Sequence, residues 1–131
     1  RLANSVALGT AKAVASHDYS IRSARMSDKK LLELAAKAAG ITWTREYKDG
    51  DMIVMMPFTR TWNPLTDDGD ALRLAVKLGL VVEIGYAHRG FIAVRTNTDN
   101  WQEFREAYGN CPYAATRRAI VRAAAEIGRT K

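Results

Sequence analysis

The chain has one cysteine, three prolines and two histidines in 131 residues. A lone Cys111 excludes an intrachain disulfide and points to a reducing compartment. Two histidines and one cysteine are too few for a Cys/His zinc site. No apolar run approaches the ~20 residues needed to cross a bilayer. The longest, at Met52–Met56 and Gly79–Val82, are strand-sized. No glycine-rich phosphate loop follows a strand-like run, so a nucleotide-binding doubly wound fold has no support. Internal repeats and low-complexity tracts are also absent.

What remains is a chain long enough for one domain with one sizeable core. Its net charge of +6 is unevenly placed. Residues 1–25 carry four bases and one acid, a net +3. Residues 111–131 carry five bases and one acid, a net +4. The middle, 26–110, holds 11 bases and 12 acids, a net −1. Basicity therefore sits at the two ends, which argues against a domain built wholly for nucleic acid.

Residues 1–25 are rich in Ala and Ser and have no strong period of 2 or 3.6. Met26 then precedes a clear helix signal. We expect a single α/β domain over 26–131, with Met26 as the natural start and 1–25 as an upstream or non-native extension with little structure. An organellar transit sequence is the other reading of Arg, Ser and few acids. A secretory signal would need an apolar core that this segment lacks.

From Met26 the punctuation is legible. Ser27 or Asp28 caps a predicted helix through Ala39, with Leu31, Leu34, Ala35 and Ala38 on one face and Gly40 as its stop. Ile41–Tyr47 alternates, Lys48-Asp49-Gly50-Asp51 forms a hairpin turn, and Met52–Met56 returns as far as Pro57. Asn63-Pro64 initiates a turn. Thr66 or Asp67 caps a helix over Asp68–Leu78, closed by Gly79. Leu80–Tyr86 and Phe91–Arg95 form a second hairpin through Ala87-His88-Arg89-Gly90. Asp99 with Gln102 resembles a capping box, and Trp101, Phe104 and Tyr108 recur at helical spacing. Pro112 opens a last helix to about Ile127, with Tyr113, Thr116, Ile120, Ala123/Ala124 and Ile127 as its apolar stripe and Gly128 as its stop. The expected fold is α/β of the α+β kind. It has a mainly antiparallel four-stranded sheet made from two hairpins, with helices packed on it.

Two stretches carry a resemblance. One is Trp62-Asn63-Pro64-Leu65-Thr66-Asp67-Asp68-Gly69-Asp70-Ala71-Leu72-Arg73-Leu74-Ala75-Val76. The other is Ala114-Ala115-Thr116-Arg117-Arg118-Ala119-Ile120-Val121-Arg122-Ala123-Ala124-Ala125-Glu126-Ile127-Gly128. Across about 26–131 the chain resembles the phage ABA sandwich family, small bacteriophage and prophage proteins. The resemblance implies an α-β-α layered sandwich. It implies no established activity and no catalytic residues.

Four constellations are candidates for chemistry. Asp67, Asp68 and Asp70 are hard oxygen ligands, but a calcium loop needs a twelfth-position Glu that is missing, and capping explains all three. His88 and Cys111 are a conceivable nucleophile pair, although nothing local brings them together, and His17 lies in the doubtful leader. Arg117, Arg118, Arg122 and Arg129 are the best binding cluster. Positions 118, 122 and 129 share a helix face that suits phosphates, or merely water. Trp43, Trp62 and Trp101 with Tyr86 and Phe91 could stack bases, but, spread over strand, turn and helix, they suit core anchoring better. Trp62, beside a turn, is the one placed for a lid or partner contact.

No catalytic constellation, metal site or cofactor site is expected. The reading is a phage- or prophage-encoded, non-enzymatic accessory protein in the bacterial cytoplasm. It would bind a host or phage macromolecule and no membrane. The alternative is a nucleic-acid-associated factor, binding weakly through the basic face of the C-terminal helix.

Overall fold

The computed structural model describes residues 26–48, 50–54, 60–85, 90–99 and 101–131. The leader with His17, the hairpin residue Asp49, Met55 to Pro57, and the Tyr86–Arg89 tip with His88 lie outside the described residues. The fold is mixed α+β. In chain order it runs α1 (Asp28–Ala39), β1 (Trp43–Lys48), β2 (Asp51–Val54), β3 (Arg60–Trp62), α2 (Asp68–Leu78), β4 (Val81–Glu83), β5 (Phe91–Arg95), β6 (Glu103–Ala107) and α3 (Pro112–Arg129). Among the described residues no helix is long and apolar enough to cross a membrane.

Among the described residues six strands are present where four were expected, in two three-stranded antiparallel sheets ordered β1-β2-β3 and β4-β5-β6. The two additional strands have separate causes. β3 is three residues long, too short to show a period, and is recruited by pairing Met52↔Trp62 and Val54↔Arg60. β6 replaces the helix expected after Asp99. The spacing of Trp101, Phe104 and Tyr108 is coincidental, because only Phe104 of the three is fully buried. The residues between them pair with β5 from Phe91↔Ala107 to Arg95↔Glu103.

The helix ends follow the sequence signals closely. Ser27 Oγ accepts from Lys30 N at 3.1 Å. Gly40 and Gly79 are both left-handed, with φ of 70° and 63°. At each, the next residue reaches back, Ile41 N to Ala36 O at 2.9 Å and Leu80 N to Ala75 O at 3.0 Å. These bonds satisfy carbonyls that the helix leaves orphaned.

α3 is the centre of the molecule. It packs chiefly on α1 and also on α2, β5 and β6. Its buried positions match the expected stripe at Ile120, Ala123 and Ala124 but not at its start, and they extend well beyond it. Tyr113 is exposed, while Ala119 and the whole run Ile120–Glu126 are buried. Gly128 does not stop the helix. It lies inside α3, where a Cβ would overlap the carbonyl oxygen of Leu34 and sit 2.8 Å from its carbon. Small side chains let α1 and α3 approach closely, which accounts for Ala35, Ala36, Ala119, Ala123 and Ala124 in one core. Ile92, Val94 and Phe104 bring the β4-β5-β6 sheet into that core, and Met52 and Trp62 bring the β1-β2-β3 sheet.

The opposite face of the β4-β5-β6 sheet carries charged side chains around Phe91 and the buried Ala93. Residues directly opposite in register share a face, so Phe91, Ala93, Arg95, Glu103 and Arg105 lie together there. Arg95 approaches Glu83 at 3.3 Å, and its guanidinium is 5.7 Å from the Trp101 ring centre. Arg105 lies 4.8 Å from that of Phe91.

Candidate functional site

The Trp62–Asp70 segment is held by a polar network. Asn63 Oδ1 accepts from Leu65 N at 2.9 Å, and Asn63 O accepts from Asp67 N at 2.9 Å. The cap of α2 is Asp67, whose Oδ2 accepts from Asp70 N at 2.8 Å. Thr66 instead donates through Oγ1 to Asn63 O at 3.4 Å. Asp70 is buried and accepts from Asn63 N at 2.9 Å, Arg73 Nη2 at 2.8 Å and Arg60 Nη1 at 3.2 Å. Asp68 turns away to Arg117. Asp67 and Asp70 share Arg73, at 3.9 Å and 2.8 Å, and Asp68 has a different partner. Among the described residues no group of three or more His, Cys, Asp or Glu is arranged to hold a metal ion.

The four arginines of α3 do not form one open face. Arg117 donates to Leu65 O at 2.8 Å and to Asp68 at 2.6 Å, tying α3 to the start of α2. Arg118 donates to Asp28 at 2.9 Å, tying α3 to the start of α1. Arg122 is 3% exposed. It donates to Arg105 O at 3.0 Å and to the Glu106 carboxylate, and its guanidinium lies 5.5 Å from the Phe104 ring centre. Arg129 pairs with Glu126 one turn earlier. Helical spacing correctly put 118 and 122 one turn apart, but it could not show that β6 covers 122.

Trp62 is buried in the core and also lines a small pocket beside Arg60 and Arg73. Trp43 is half-buried, 6.2 Å from Tyr47. Trp101 is exposed beside Arg95, so Trp62 and Trp101 share no platform. Cys111 is exposed at the N-cap of α3, where Sγ accepts from Ala114 N at 3.4 Å.

The site that the sequence reading missed is a groove of about 570 Å³ between α2, β4 and α3. Ala71, Leu72, Val82, Ile84, Tyr113 and Ile120 line it. Its charged lining residues, Asp68 and Arg117, are bonded to each other. Leu72 is 64% exposed, Tyr113 69% and, beside them on α2, Val76 72%. A signal was present. Apolar residues at 71, 72, 74, 75, 76 and 78 surround α2 more widely than a surface helix needs. The groove presents apolar side chains and one ion pair. Covering such surface is favourable by about 25 cal/mol per Å² of apolar area, before the entropic cost of association.

No family model, curated protein or solved structure matches the chain.

Proposed function

We propose that this chain is a small phage- or prophage-encoded accessory protein. It acts without catalysis of its own as a binding module for a host or phage protein in the bacterial cytoplasm. The observation that supports binding is the apolar groove with Leu72, Ile84 and Tyr113 exposed along it. Contiguous exposed apolar patches on soluble domains commonly mark interaction sites. The phage origin rests on the resemblance at Trp62–Val76 and Ala114–Gly128. The α-β-α layering that goes with that resemblance belongs to the same proposal.

A protein partner is preferred to nucleic acid because each α3 arginine meets a carboxylate, at Asp68, Asp28, Glu106 or Glu126. The test is a photo-crosslinking amino acid placed at position 113 in the full chain, expressed in a bacterial host with and without phage. A control carries it at Arg105, on the charged sheet face. A discrete adduct from 113 that is absent from 105 and lost with Leu72→Glu supports the reading. Equal labelling from both positions, or none, overturns it.

A further inference from the structure

We propose that a second site, the pocket between the end of α1, β3 and α2, binds the oxyanion group of a small ligand, a phosphate or a carboxylate. The pocket has a volume of about 160 Å³. That is room for one such group and a few carbon atoms. Its walls combine Ile41, Trp62 and Leu74 with three cations, Arg60, Arg73 and Lys77, and among the described residues no acid lines it.

The cations are placed by a carboxylate behind them. Asp70 is buried and takes Arg60 Nη1 at 3.2 Å and Arg73 Nη2 at 2.8 Å. β3 delivers the first guanidinium and α2 the second. Each guanidinium has five N–H donors in a rigid fork. Arg60 Nη1 also donates to Thr61 O, and Arg73 Nη2 also lies 3.9 Å from Asp67. These contacts use Nη1 of Arg60 and Nη2 of Arg73, leaving donors on the other nitrogens of each fork. Because Asp70 already holds one nitrogen of each fork, part of the side-chain entropy is lost before an anion arrives.

The charges are divided between two sides. Asp51, Asp67 and Asp70 line a separate polar cleft, for which Arg60 and Arg73 form the shared wall. The acids lie on that side, and the charged lining of the pocket side is Arg60, Arg73 and Lys77. Lys77, one turn beyond Arg73, makes no ion pair with another described residue. The arginines of α3 are instead matched one to one with acids. This pocket takes residues 73, 74 and 77 of α2, whereas the groove takes 71, 72 and 75, so the two sites occupy different faces of one helix.

The test is a nitrogen-15 NMR titration of the full chain at constant ionic strength, with inorganic phosphate in one arm and acetate in the other. Saturable shifts of the Arg73 Nε–H and Trp62 Nε1–H signals are expected, with a Kd of about 1 mM for at least one anion. Lys77→Gln should weaken binding about fivefold, because one exposed charge is lost. Arg73→Gln should abolish it while Arg60 keeps its bond to Asp70. Should Arg73→Gln disturb the fold, Lys77→Gln alone carries the test. Saturation by phosphate only, or by acetate only, supports the site and identifies the group. Shifts that stay linear to ~50 mM in both arms overturn it, as does saturation unchanged in both variants.

Discussion

Gly128 shows how one residue can be read correctly as special and wrongly as to why. A glycine near the end of an amphipathic stretch looks like a helix stop. Here it stays helical because the backbone of Leu34 occupies the space a side chain would need. Two effects oppose each other at this position. Replacing a helical glycine with alanine gains up to ~1 kcal/mol of propensity. Overlap with a backbone carbonyl in a close-packed pair costs more, because neither α1 nor α3 can shift without disturbing the core they share. We predict that Gly128→Ala lowers stability by about 2 kcal/mol net, measured by urea denaturation. A stabilised variant would mean that α1 and α3 do not approach as closely as described. The same lesson applies to Arg122. Its identity suggested a surface cation, and its position on the buried side of α3 makes it a tie to β6.

At the scale of elements, what the sequence displayed was local chemistry, and what it concealed was pairing. The starts of α1, α2 and α3 and the ends of α1 and α2 each rest on a cap or a glycine within the element, so each was legible. β3 and β6 form through partners more than five residues away, and no periodicity within them announces this. The groove was hidden for a related reason. The apolar breadth of α2 was visible, but which side stays uncovered depends on where α3 and β4 lie. Sequence reasoning also left the α2 cap open between Thr66 and Asp67, and the geometry decides it. Asp67→Ala should cost about 1 kcal/mol, and Asp67→Asn should recover most of it because Asn caps nearly as well as Asp. Thr66→Ala should stay within ~0.5 kcal/mol of the parent, as its side chain makes one long exposed bond. Thermal unfolding of the three variants measures the order. A larger loss at Thr66 than at Asp67 would reverse the assignment.

At the scale of the molecule, the two sheets are not held equally. The β4-β5-β6 sheet lies directly against α3, with Ile92, Val94 and Phe104 wholly buried. The β1-β2-β3 sheet adds Met52 and Trp62 to the core. Trp43 and Tyr47 of β1 pack against that core only partly buried, and further ties are polar and partly exposed. They include Tyr47 Oη donating to Glu33 at 2.8 Å and Asn63 Nδ2 donating to Asp51 at 2.9 Å. Such bonds contribute about 1 kcal/mol each and are open to water. Regions with few buried apolar contacts open before the global transition. Amide hydrogen exchange should therefore fall into two tiers. Ala119–Glu126 of α3 and Ile92–Val94 of β5 should exchange only by global unfolding. The β1–β2 amides should open with a free energy lower by about 2 kcal/mol, through loss of the β1-β2-β3 sheet alone. The Arg60 side of the oxyanion pocket belongs to that looser sheet, and the groove belongs to the tighter half. A saturating anion should raise protection at β2 and β3 selectively, because it stabilises only the state in which Arg60 and Arg73 face each other across Asp70. Uniform protection across both sheets would show that α1 binds them into one cooperative unit, and the two-tier order would then be wrong.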